Sequence, residues 1–286
     1  MSIWLNGHLY SDAIGKIDGR DRGLLLADGI FETLLVRHGR PVFFKQHLSR
    51  LKRAANFFTI PINYSDDVIG EAIRQSAERF SADDVDCAAR LTLTRGVGQR
   101  GLVPPHKRDT SPTFMVSAAP VLPPSPDSVQ LIVSDICRNE GSPSSGFKTI
   151  SYTDNILARH QAVQNVADDA VMCNNAGHLA CATAANLFLL LPDLSLVTPD
   201  RECGILPGIT RDVLLSIASE LSLPVDEGKY KPAILENGCI FLTNSLVGIQ
   251  RAQLVGSKVR MSEDMENLLL ELQRQYAQKV STDIGL

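Results

Sequence analysis

Short stretches of alternating apolar and polar residues, each closed by glycine, asparagine or proline, make up much of this chain. Residues 1–12 predict a hairpin, because Asn6-Gly7 between apolar runs is a strong two-residue turn signal. The run to Arg37 predicts a strand with Ile30, Glu32, Leu34 and Val36 on one face and Phe31, Thr33 and Leu35 on the other. Cys87–Arg95, Thr113–Ala118, Val129–Val133, Asp169–Met172, His178–Cys181, Asn186–Leu191 and Cys239–Thr243 predict further strands. Helical spacing replaces alternation from Phe44 to Phe58, from about Asp66 to Phe80, after Pro207-Gly208 and from about Glu263 to Lys279. Another helix is expected from Ile156, capped by Asp154 or Asn155.

These runs place strands and helices in separate blocks, the α+β (mixed α/β) pattern. Four prolines within Ala119–Asp127 predict a linker over 120–127, between an N-terminal domain at 1–119 and a C-terminal domain at 128–286. Composition narrows the partners. The net charge of −4 gives no global case for nucleic acid, and no uncharged apolar run reaches a membrane span. The polar turn at Asn6-Gly7 comes too early for a signal peptide. Six cysteines lack metal-ligand spacing, so no metal site is expected and a reducing, cytoplasmic setting is.

Candidate chemistry lies at a few junctions. Lys148 follows the loop Ser142–Gly146 and precedes a helix, so its backbone is pinned at both ends. An amine held there can form a Schiff base with a carbonyl, although a lone lysine is more often solvated. Gly96-Val97-Gly98-Gln99-Arg100-Gly101 is a glycine-rich loop on which Arg100 either reaches a carboxylate or sits in water. The helix start after Pro207-Gly208 offers unpaired backbone N–H groups and the Thr210 hydroxyl to an anion. Asn244-Ser245 adds polar groups at the end of a buried strand.

In this order, Asp28–Thr33, His47–Leu51, Thr94-Arg95-Gly96, Lys148 with its helix, Asn186-Leu187-Phe188 and Ile205–Arg211 resemble the class IV aminotransferases, nearly end to end. That family comprises fold-type IV pyridoxal-phosphate enzymes: branched-chain and D-amino acid aminotransferases and 4-amino-4-deoxychorismate lyase. The resemblance implies a smaller N-terminal α+β domain and a larger C-terminal domain with a barrel-like β core flanked by helices. It implies a pyridoxal 5'-phosphate cofactor held by Lys148, which also shuttles the substrate proton. Arg50, Ile209, Thr210, Asn244 and Ser245 match the phosphate-binding positions, and Tyr152 matches a tyrosine near the ring. Phe31, Thr33 and Arg100 match substrate-pocket positions. A homodimer is implied, its site completed by a loop of the other subunit.

Two positions depart from the family. Cys181 stands where a glutamate usually faces the pyridine nitrogen; a neutral thiol cannot hold that proton, whereas a thiolate could. Phe31 and Leu102 replace the tyrosine and histidine of the D-amino acid carboxylate trap. The expected activity is amino transfer between an amino acid, D- or branched-chain-like, and a 2-oxo acid. The alternative is a lyase releasing pyruvate by β-elimination, and a third reading is a non-catalytic ligand-binding relative.

Overall fold

The structure is a computed structural model of the 286-residue chain and describes residues 2–11, 15–82, 85–106, 110–121 and 128–286. It divides into two compact units, Met1–Leu122 with Lys148–Ser151 and Asp283–Leu286, and Pro123–Phe147 with Tyr152–Thr282. Most of the expected proline-rich linker, residues 122–127, lies outside the described residues.

The first unit contains β1 (Ile3–Leu5), β2 (His8–Tyr10), α1 (Arg22–Leu26), β3 (Gly29–Arg37), β4 (Arg40–Pro41), α2 (Phe44–Phe57), α3 (Asp66–Ala82), β5 (Cys87–Thr94) and β6 (Thr113–Pro120). Its antiparallel sheet has the order β2-β1-β6-β5-β3-β4. Asn6 and Gly7 both take positive φ, 48° and 94°, the pair of values a two-residue hairpin turn of matching twist demands. Leu48, Leu51, Ala54 and Ala55 of α2 and Ile69 and Ile73 of α3 are buried. Each of the larger side chains contributes about 1.5–3 kcal/mol by leaving water.

The second unit holds β7 (Val129–Val133), α4 (Thr153–Gln164), β8 (Asp169–Cys173), β9 (Leu179–Ala182), β10 (Asn186–Leu190) and β11 (Leu196–Pro199). Then come α5 (Ile209–Glu220), β12 (Val225–Gly228), β13 (Cys239–Asn244), β14 (Gly248–Leu254) and α6 (Glu263–Asp283). The sheet runs β12-β11-β10-β13-β14-β7-β8-β9, and β9 also pairs with β10 through Cys181 and Asn186. That last pairing closes six strands into a barrel, with β11 and β12 continuing outward from β10. Leu187, Leu189, Leu131, Val171, Leu179 and Leu242 form part of its core. The fold is therefore the mixed α+β, barrel-bearing architecture expected above. Among the described residues no helix is long and apolar enough to cross a membrane.

One local expectation fails. α4 begins at Thr153 with Tyr152 at its cap, and no side chain caps it. Asn155 instead sends its amide to the Thr183 carbonyl, 2.7 Å away in a buried setting. Burial left that amide needing a partner, and the tertiary one won over the local cap.

Candidate active site

In the first unit, alternation along β3 sends Glu32 and Phe31 to opposite faces. Register pairs Glu32 with Leu91, Phe31 with Thr92 and Thr33 with Arg90. Glu32 is 1% exposed. It accepts from Nε and Nη2 of Arg50, both at 2.7 Å, and lies 2.8 Å from His47 Nδ1. His47 and Arg50 stand three residues apart on α2, so one helix face supplies both partners. Burial alone would push the Glu32 carboxyl up, but the Arg50 fork and His47 hold it down at about 2. Burial keeps His47 low and neutral, against the pull of Glu32. Its Nδ1–H therefore donates to the carboxylate, and its buried Nε2 has no hydrogen-bond partner among the described residues.

Lys148 belongs to this unit. The Phe31 N–H donates to the Lys148 carbonyl at 2.8 Å, and the Ile150 N–H to the Gly29 carbonyl at 3.0 Å. Docking the segment along β3 sets Lys148 Nζ 4.1 Å from the centre of the Phe31 ring. The guanidinium carbon of Arg90 lies 3.7 Å from the same centre. Burial lowers the amine to about 8, with Glu32 pulling it up and Arg50 and Arg90 pushing it down. A substantial fraction of Lys148 is thus neutral near pH 8, as a nucleophilic amine requires.

In the second unit, α5 starts at Ile209 and Thr210, both buried, with Gly208 at the cap and no side chain capping the helix. Its first-turn N–H groups and the positive end of its dipole make an anion site. A Cβ at Gly208 would lie 2.0 Å from Asn186 Oδ1, so a side chain there would force Asn186 to shift. Asn186 Nδ2 donates to the Leu206 carbonyl at 2.9 Å. On one side of Asn186 stands Cys181, on the other Thr243, whose buried hydroxyl has no partner among the described residues. Thr210 Oγ1 lies 3.3 Å from the Tyr276 hydroxyl. Asn244 spends its side-chain oxygen on the N–H groups of Leu246 and Val247, shaping the turn that carries half-buried Ser245. Burial pushes the Cys181 thiol up, with Arg138 pulling down and Asp169 pushing up. The thiolate option therefore closes.

Of the residues singled out from sequence, Phe31 and Lys148 meet in the first unit, and Arg50 acts on the amine electrostatically. Thr33, half-buried, is paired with Arg90. In the second unit Cys181 pairs with Asn186, whose other neighbours Leu206 and Gly208 lead into Ile209 and Thr210, and Asn244 and Ser245 follow Thr243 in the chain. Tyr152 is half-buried at the head of α4, and Arg100 is exposed on its loop. Sequence reasoning missed Glu32, His47, Arg90 and Thr243. Glu32 had a signal: a carboxylate in an otherwise apolar row needs a buried partner.

With this geometry the sequence can be compared with known proteins. Residues 29–255 match the amino-transferase class IV family, and the chain belongs to it. A Methanocaldococcus jannaschii protein with the provisional name of branched-chain-amino-acid aminotransferase is 32% identical over 79% of this chain and 78% of its own. The aminodeoxychorismate lyase of Bacillus subtilis is 25% identical over 86% and 84%. A solved Legionella pneumophila structure, provisionally named 4-amino-4-deoxychorismate lyase, is 30% identical over 92% of this chain and 96% of its own, with a TM-score of 0.80.

The family's cofactor is pyridoxal 5'-phosphate. Each unit has a feature whose chemistry suits part of it: in the first, the partly neutral Lys148 amine suits an aldehyde, and in the second, the helix start after Gly208 suits a phosphate.

Proposed function

We propose that the chain is a pyridoxal-phosphate-dependent aminotransferase. It moves an amino group between an amino acid, D- or branched-chain-like, and a 2-oxo acid, and works as a homodimer. The observation that carries this reading is the Lys148 amine, held at about 8 over the Phe31 ring by burial and flanking arginines. When bound, the cofactor supplies a carbonyl for the lysine and a ring that takes up electrons from the substrate. Lys148 acts first as the nucleophile and then as the base and acid that moves a proton at Nζ. On this reading Arg50 of the first unit, and Ile209, Thr210, Asn244 and Ser245 of the second, would bind a phosphate, and Tyr152 and Cys181 would serve the cofactor's ring. Glu32 fixes the plane of the Arg50 guanidinium through two hydrogen bonds. Phe31, Thr33 and Arg100 line the substrate side.

Cys181 favours a second reading. A buried neutral thiol cannot keep the ring nitrogen protonated, which weakens amino exchange relative to β-elimination of the deoxychorismate lyase kind. One experiment separates the two. Borohydride treatment of one sample with cofactor should attach it to the Lys148 peptide, and a separate, unreduced sample with cofactor is screened with amino acids, with and without a 2-oxo acid. Amino transfer needs the acceptor; pyruvate release from a single substrate without one would establish the lyase. No covalent capture at Lys148 would end both readings.

A further inference from the structure

The loop after β5 winds around a buried arginine that belongs to neither the lysine cluster nor the helix-start site. Arg22, 5% exposed, donates from Nη1 to the Gly101 carbonyl at 2.8 Å and from Nη2 to the Leu102 carbonyl at 3.1 Å. Its backbone N–H donates to the Gly96 carbonyl at 2.8 Å. Its Nε donates to Asp28 Oδ2 at 2.8 Å. The same oxygen takes Arg95 Nε at 2.8 Å, and Arg95 reaches on to the carbonyls of Phe58 and Thr59. Both ends of the loop are therefore tied to one residue, Gly96 to the Arg22 backbone and Gly101-Leu102 to its guanidinium, which Asp28 anchors to the body of the first unit.

The loop's own sequence is cut to this wrapping. Gly96 has φ +78°, and a Cβ there would lie 1.8 Å from the Ser111 carbonyl oxygen. Gly101 has φ +112°, a region side chains avoid. At Gly98 a Cβ would come within 2.8 Å of Arg22 Cδ. Beyond the wrap, Gln99, Arg100, Leu102 and Val103 are exposed. A loop whose inner side is spent on one buried arginine and whose outer side touches solvent is built to present that outer side.

We propose that Arg22 is a positioning residue that fixes the 96–102 loop so that Arg100 meets the substrate carboxylate. This rests on the reading of Arg100 given under the proposed function. Two carbonyls held by one planar fork cannot be replaced by the single ammonium of lysine.

The experiment compares Arg22→Ala and Arg22→Lys with Ile69→Ala, a core variant in α3 that lowers stability without touching the loop. Limited trypsin cleavage at Arg100–Gly101, identified by fragment mass, should speed up about tenfold in both Arg22 variants, the effect of losing charge-assisted bonds worth roughly 1.5 kcal/mol or more. The KM of whichever substrate the wild type turns over should rise about tenfold with kcat nearly unchanged, the signature of lost uniform binding. Ile69→Ala should show neither change. Unchanged cleavage in the Arg22 variants would overturn the clamp, and faster cleavage with an unchanged KM would overturn its link to substrate. Lack of any wild-type turnover would instead strike the proposed function, and the cleavage comparison would still judge the clamp.

Discussion

On the proposed reading Lys148 and Cys181 carry the chemistry at the scale of single residues, and each implies a measurable sign. The folded Lys148 gives up its proton near pH 8, whereas the unfolded one keeps it to about 10.5. Between those values the unfolded chain binds more protons, so this group's contribution to stability rises with pH and is least favourable below the window. Lys148→Met should thus stabilise the cofactor-free protein at pH 7 by up to about 3 kcal/mol relative to its effect at pH 10.5. Urea unfolding at both pH values checks this, and an equal effect at both would refute it. Cys181→Glu should raise kcat for amino transfer about tenfold or more by restoring a charge to the ring nitrogen, while a buried carboxylate lowers the melting temperature. Steady-state kinetics on protein with its cofactor bound decides it; unchanged transfer would remove Cys181 as the cause of a detuned site. Lys148 and Cys181 stand out in the sequence because motif order marks them. Arg90 and His47 do not, because their meaning comes from a strand register and a helix face that no single stretch of sequence displays.

Helices and strands position those residues through a few glycines at which a side chain would crowd a neighbour. Gly208 matters most for the helix start, since a side chain there would displace Asn186, which links the start of α5 to β9 and β13. Gly208→Ala should weaken retention of pyridoxal 5'-phosphate about tenfold or more, while binding of pyridoxal, which lacks the phosphate, hardly changes. Equilibrium dialysis with both compounds makes the comparison, and an equal loss for both would mean that the helix start does not serve the phosphate. The Pro-Gly signal before α5 and the Asn-Gly hairpin were readable because turn chemistry is local. β12 was not: Val225-Asp226-Glu227-Gly228 carries two acidic residues and becomes a strand only because β11 pairs with it. β14 likewise mixes Gln250, Arg251 and Gln253 into its run, and pairing with β13 and β7 overrides that polarity.

Across the whole molecule, the barrel-like β core of the second unit was implied by the resemblance that the order of motifs carries, but the pairing that closes it was not readable in any one stretch. Closure depends on the contact between Cys181 and Asn186, five positions apart, around a tight corner at 183–185. The first unit also leaves the outer side of its 96–103 loop bare, with Leu102 82% and Val103 83% exposed. In the proposed homodimer, these two large aliphatic side chains are the surface a second copy of the chain would cover. The exposed leucines of α1, Leu24, Leu25 and Leu26, add apolar area beside Arg22 in sequence. Wild-type protein should therefore run as a dimer in light scattering at micromolar concentration. A Leu102→Asp, Val103→Asp double variant should shift it toward monomer, because two carboxylates would have to be desolvated at the contact. The melting temperature measured at low protein concentration should barely move, since both positions are exposed within one chain. A double variant that stays dimeric would place the contact elsewhere, and a monomeric wild type would remove the homodimer from the reading.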